Sequence, residues 1–147
     1  MDASVLIGAA ATVALGGILP WINGEVVVTG AALLTPQSAL PALVLACAAA
    51  QMSAKAVLYG VTRWLPERMP ARARKLASRV EAYRERRGLL VLAVFSGSAI
   101  ALPPFYLVTL ACGMLRVPFG LFAIAGLAGT ISRYGLLAWF AAALVGG

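Results

Sequence analysis

The stretch RWLPERMPARARKLASRVEAYRERR, residues 63–87, holds nine of the chain's twelve Lys and Arg residues and three of its five Asp and Glu. It divides 147 residues into two apolar halves whose only other charged side chains are Asp2, Glu25, Lys55, Arg116 and Arg133. With 62% hydrophobic and 12% charged residues, there is too little polar surface to cover a water-soluble globule of this size, and the expected solvent is lipid. The net charge of +7 then reads as topology. Lys and Arg collected in one connecting loop mark the cytoplasmic side and attract anionic headgroups, at about 1 kcal/mol per basic residue near the surface. No folded basic module or aromatic interleaving accompanies the cluster, so no nucleic-acid partner is expected.

Each half repeats one plan. A short apolar piece meets a break, at residues 19–25 in the first half and 101–104 in the second, and a second short piece and a long apolar run follow. The long runs, residues 39–62 and 118–145, exceed the roughly 20 apolar residues that cross a bilayer. Ser38 is the expected N-cap of the first, with Pro41 in its opening turn; Pro118 suits the opening turn of the second. The short pieces, residues 5–19, 26–34, 89–102 and 105–115, fall short of a crossing. The opening residues 1–4 lack a basic n-region, so the first apolar piece is expected to be retained.

Two layouts fit these lengths: re-entrant hairpins that enter and leave by one face, or kinked helices that cross fully. With residues 63–87 in the cytoplasm, hairpins leave both termini outside, whereas four plain crossings strand Arg116 on the outer side. The expected fold is an all-α integral membrane domain, an inverted repeat of two re-entrant hairpins and two spanning helices (residues 1–62 and 88–147). An interfacial amphipathic helix over residues 71–87 lies between them, with Leu76, Val80 and Tyr83 on its apolar stripe. Glu81 and Glu85 are expected to pair with arginines one turn away.

Candidate chemistry rests on the charges left inside the apolar halves. Glu25 at the first break would cost about 2.5–3.5 kcal/mol as an ion at the bilayer centre, so it needs a partner or a polar cavity. Arg133 is the stronger partner because guanidinium grips a carboxylate or phosphate by paired bonds; Lys55 either joins the site or snorkels to the interface. Tyr134, Asn23, Gln51, Ser96 and Ser98 are further polar groups, the serines back-bonding to their own helix. Pro20, Asn23, Gly24, Pro103 and Pro104 form the expected tips. Cys47 and Cys112 read as small packing residues, and Gly113, Gly120, Gly126 and Gly129 as sites of close helix approach. The chain has no His, and its one Asp is Asp2. Histidine-based hydrolysis and aspartate-rich metal chemistry are thereby excluded; neither an enzyme nor a cofactor or metal is expected.

Several of these residues lie in the order and spacing of a known pattern. Leu19-Pro20 with Gly24-Glu25-Val26-Val27, Tyr59 through Arg63 (Thr62 in place of a glycine), Pro103-Pro104, Cys112-Gly113-Met114-Leu115-Arg116 and Ser132-Arg133-Tyr134 together resemble the DedA superfamily, also called the VTT or SNARE-associated domain family, and particularly its short bacterial YqaA-like members. The resemblance implies facing re-entrant hairpins in a multi-pass protein of the bacterial inner membrane. It also implies translocation of a lipid or lipid-linked phosphate, with Glu25 and Arg133 lining the site. Larger bacterial members carry a second acidic residue after the first tip and arginines flanking the second; this chain has neither. The leading expectation is a transporter or scramblase, proton-linked through Glu25, acting on membrane lipids as a homodimer. Two alternatives stay open: a non-transporting interaction subunit working through residues 63–87, and an exporter of small cations or drugs.

Overall fold

The computed structural model describes residues 2–102 and 104–146; the expected tip residue Pro103 lies outside the described residues. Among these, the chain forms seven α-helices and no strand: α1 (Ala3–Ile18), α2 (Gly24–Leu33), α3 (Leu40–Trp64), α4 (Ala71–Val80), α5 (Arg87–Ile100), α6 (Phe105–Met114) and α7 (Phe119–Gly146). The 25 residues of α3 and 28 of α7 extend about 38 and 42 Å at 1.5 Å per residue. Both are long and apolar enough to cross a membrane.

The helices gather into two compact units, Met1–Ala54 with Ile131–Gly147, and Lys55–Thr130. The first unit is therefore built from α1 and α2 with pieces of both long helices, and the second from α4, α5 and α6 with the remaining pieces.

In the first unit α1 and α2 pack against each other across a five-residue turn, residues 19–23. Pro20 has no amide hydrogen to extend α1, and Ile22 closes the turn with a hydrogen bond from its N–H to the Leu19 carbonyl, 3.1 Å. The turn folds back because Gly16 has no side chain: a Cβ there would stand 2.8 Å from the Ile22 carbonyl oxygen. Its neighbour Gly17 does the same toward α3, where a Cβ would meet Ala54 Cβ at 2.5 Å. The α3 and α7 pieces of this unit run antiparallel. Gln37 adjoins Gly146 at one end, and Gln51 and Tyr134 meet beside Gly24 at the other. Ser38 is not the cap of α3. It lies within a 3-10 turn, Gln37–Ala39, that Pro36 introduces without a side-chain bond; the restricted backbone at Pro36 sets this entry.

In the second unit α6 is the central element, packed by both α4 and α5 and buried continuously from Val108 to Gly113. A Cβ on Gly113 would lie 2.6 Å from the Tyr59 carbonyl and inside contact distance of the Thr62 hydroxyl, and Gly129 meets Ser98 comparably. Gly120 faces open space. The helix ends with N–H bonds from Arg116 to the Gly113 carbonyl (3.1 Å) and from Val117 to the Cys112 carbonyl (3.0 Å). This is a Schellman arrangement with Arg116 at φ 53°, where glycine is the usual occupant. The Tyr59 hydroxyl donates to the Val117 carbonyl and accepts from Arg63 Nη1 at 3.0 Å, while its ring stacks on Phe122 with centroids 5.2 Å apart. Ser96 and Ser98 bond back to the carbonyls of Ala93 and Phe95, as expected of membrane-type helices.

The connector departs from the sequence expectation. Its helix stops at Val80, a 3-10 turn covers Glu81–Tyr83, and a new helix starts at Arg87. The inward stripe of α4 is Ala73 and Ala77, both buried, with Leu76 and Val80 half-buried and Tyr83 exposed. These residues sit at helical spacing, and Leu76 and Val80 line a small apolar cavity with Val108, Ala111 and Leu115 of the α6 segment. The apolar face that was expected to meet the lipid interface is thus turned toward α6. Arg72, Arg74, Lys75 and Arg79 point outward. Glu81 and Glu85 make no ion pair among the described residues, being carried by the turn rather than by a helix that would set an arginine one turn away.

Candidate functional site

The polar site of the first unit is assembled at the turn between α1 and α2. Asn23 caps α2 by accepting the Glu25 N–H on Oδ1 at 2.9 Å, which fixes Glu25 in the opening turn of the helix. A carboxylate there also faces the positive end of the helix dipole. From α7, Arg133 Nη1 reaches Glu25 Oε1 at 3.3 Å. The pair is asymmetric: the Arg133 side chain is 14% exposed and that of Glu25 41%. Glu25 is the outer member and Arg133 the inner one.

Behind them lies a fully enclosed floor. Tyr134 is 0% and Gln51 6% exposed, and both converge on Gly24. A Cβ at that position would stand 2.7 Å from Tyr134 Oη and 3.6 Å from Gln51 Oε1. Glycine is therefore what lets the hydroxyl and the amide approach the start of α2. Tyr134 Oη, Gln51 Oε1 and Arg133 Nε are buried without a hydrogen-bond partner among the described residues. The Arg133 guanidinium sits 5.5 Å from the centroid of the Tyr134 ring. Glu25, Arg133, Tyr134, Asn23 and Gly24 are thus brought together, with Pro20 in the same turn. Gln51, one of several loose polar candidates in the sequence, belongs to the innermost layer.

Lys55 belongs to the second unit. It is 3% exposed, and its Nζ lies 5.6 Å from the Phe105 ring centroid and 5.1 Å from that of Tyr106. Burial against two aromatic rings is a cation–π environment, not a snorkelling one. Phe105 and Tyr106 open α6 directly after Pro104, its N-cap, so the second helical pair also meets a buried cation at its tip.

An apolar groove of the first unit, about 650 Å³, is lined by Leu40, Pro41, Val44, Ile131, Ala138 and Trp139 among others. It lies on another side of α7 from Arg133. Ile131 is two residues from Arg133, and two residues turn about 200° around a helix. Cys47 and Cys112 are buried and unbridged, as packing residues are expected to be. No cluster of His, Cys, Asp and Glu suited to a metal is found among the described residues. Comparisons with known protein families, with characterised proteins and with solved structures find no match.

Proposed function

We propose that this chain is a multi-pass protein of the bacterial inner membrane, of DedA/VTT type, that moves a lipid or lipid-linked phosphate across the bilayer as a transporter or scramblase. The observation that carries the reading is the Glu25–Arg133 pair held at the tip of a short helical pair, with unsatisfied polar groups behind it. Helix termini and sparse charges at such tips are how many transporters hold a charged group at membrane depth. A lipid environment is supported by the two long apolar helices and by large apolar side chains left exposed, among them Leu34, Ile124, Trp139 and Leu144. In this reading α1–α2 and α5–α6 are re-entrant hairpins, each returning to the face it entered by, and residues 63–87 are cytoplasmic. Arg133 attracts the phosphate; Glu25 competes for Arg133 and releases it on taking a proton.

The purified protein reconstituted in liposomes is expected to accelerate exposure of a labelled lipid phosphate, and Glu25→Gln is expected to change that rate. Rates equal to protein-free vesicles for both proteins would refute transport. A reporter fused to the C-terminus is expected outside the cytoplasm; an inside location would remove the hairpin layout.

One observation favours a second reading, a membrane interaction subunit. The cationic face of α4 is fully presented while its apolar stripe is already packed. Loss of function on neutralising Arg72, Arg74, Lys75 and Arg79, with Arg133→Gln silent, would select it.

A further inference from the structure

Where the connector turns into α5, an apolar cleft of about 380 Å³ opens between Val80, Tyr83, Leu89, Leu90 and Ala93, within the roughly 300–1,000 Å³ of ligand sites. Val80, Leu90 and Ala93 also wall the small cavity that reaches Val108 and Ala111 of α6, so cleft and cavity together run from the surface to the central helix. The mouth is apolar where the chain is otherwise most charged: Tyr83 is 47% and Leu89 42% exposed, and Leu92, one turn further along α5, is exposed as well. Around it the charge is one-sided. Residues 79–87 carry Arg79, Arg84, Arg86 and Arg87 against Glu81 and Glu85, all six of them exposed. N–H bonds from Arg84 to the Glu81 carbonyl (3.1 Å) and from Arg86 to the Tyr83 carbonyl (2.8 Å) hold the turn. They leave the Arg86 guanidinium 6.0 Å from the centroid of the Tyr83 ring that walls the cleft. Arg86 and Arg87 also open α5, whose first turn has no acidic residue, at the helix end where cations are disfavoured. An anion beside them would relieve that repulsion, and an apolar slot with cations at its mouth is complementary to an amphiphile with an anionic head. One turn of a helix fills roughly 400–600 Å³ at its 10–12 Å diameter and 5.4 Å pitch, more than the cleft holds, so an acyl chain fits it better than a peptide helix.

We propose that this cleft seats one anionic phospholipid of the cytoplasmic leaflet. Its headgroup meets Arg86 and Arg87, and one acyl chain enters between Tyr83 and Leu89 toward Ala93. Such a seat differs from the diffuse attraction of the whole 63–87 stretch for anionic headgroups, because it holds a single molecule and requires the tail. The proposal rests on the membrane placement given above, with residues 63–87 cytoplasmic, and not on transport or on the Glu25–Arg133 pair.

The test is native mass spectrometry of the full chain released from detergent micelles, with palmitoyl-oleoyl phosphatidylglycerol as the probe and the phosphatidylcholine of the same tails as its zwitterionic control. One phosphatidylglycerol is expected to be held about tenfold more tightly than phosphatidylcholine. Arg86→Gln and Arg87→Gln should each weaken it about fivefold. Arg68→Gln removes the same charge from the far end of α4, a helix of ten residues and so about 15 Å long, and should change binding by less than about twofold. Ala93→Leu fills the cleft and Tyr83→Ala removes its outer wall; each should weaken binding at least about fourfold, the worth of one buried methylene. Tyr83→Ala lies at an exposed position and is expected to keep the melting temperature of the lipid-free protein, which separates loss of the seat from loss of the fold. An effect of Arg68→Gln equal to that of Arg86→Gln overturns the seat in favour of diffuse attraction. Phosphatidylglycerol binding that neither cleft variant weakens overturns the tail's place in it. Equal binding of the two lipids, or no retained phosphatidylglycerol, overturns the proposal outright. None of these results touches the liposome rate or the C-terminal reporter, so transport and topology stand or fall separately.

Discussion

Glu25→Gln and Arg133→Gln remove the same 3.3 Å contact, yet they are expected to cost different amounts in phosphate-free buffer. At an effective dielectric of about 20 the bare attraction at that distance is about 5 kcal/mol, much of it offset by stripping water from the guanidinium. Exposed pairs are worth about 0–1 kcal/mol and loss of one partner from a buried pair about 3–5. A single long contact between a carboxylate 41% exposed and a guanidinium 14% exposed falls between, with a coupling of about 1–2 kcal/mol. Removing Glu25 strands the buried cation, whereas removing Arg133 leaves a carboxylate that water already reaches. Glu25→Gln should therefore cost about 2 kcal/mol and Arg133→Gln about 1 or less. The double variant should cost less than the sum by the coupling. Cys47, fully buried in the same unit, supplies the assay. In a Cys112→Ala background a thiol-reactive dye reports thermal unfolding around Cys47, and 2 kcal/mol corresponds to a fall of roughly 4–8 °C. An Arg133→Gln loss equal to or above that of Glu25→Gln, or strict additivity, would refute the layered description of the site.

Gly113→Ala forces a methyl against the Tyr59 carbonyl and the Thr62 hydroxyl; overpacking of about 1–3 kcal/mol should exceed the helix-propensity gain of about 1 kcal/mol. Adding Thr62→Ala should restore part of the loss, read by the dye at Cys112, which lies in the same unit. Tyr59→Phe leaves the Val117 carbonyl without the bond it accepts and is expected to cost about 1–3 kcal/mol, read by the dye at Cys112 in the same unit. Ala101→Gly relaxes the left-handed residue at the end of α5, φ 61°, and should stabilise by up to about 1 kcal/mol; any loss of stability there would contradict the strain assigned to that turn.

The long helices and the two breaks were legible in the sequence because length, apolarity and proline act locally. Nothing beyond residues 19–23 is needed to end α1 at Ile18, and Pro104 marks the start of α6 equally well. Local signals failed where packing decides. Leu76, Val80 and Tyr83 share a helical spacing, but contact with α6 uses only the portion through Val80, and the stripe shifts to include Ala73 and Ala77, whose small size carries no hydrophobic signal. Pairing of Glu25 with Arg133 was readable because so few charges lie in the apolar halves. The enclosed floor was not. Gln51 and Tyr134 acquire their meaning from meeting at Gly24, a contact between three distant parts of the chain. Lys55 was ambiguous for the same reason, since Phe105 and Tyr106, which surround it, are fifty positions away.

The composition of the first unit from Met1–Ala54 and Ile131–Gly147 has a consequence for biosynthesis. Arg133 follows Glu25 by 108 positions (133 − 25), a delay of roughly 5–20 s at ribosomal rates of about 5–20 residues per second. During that interval α1 and α2 can already be folded, but the carboxylate at their junction has no guanidinium to meet. A nascent chain halted before α7 should leave Glu25 in contact with water and open to quality-control proteases. Emergence of Ser132-Arg133-Tyr134 would then be the event that seals the turn between α1 and α2.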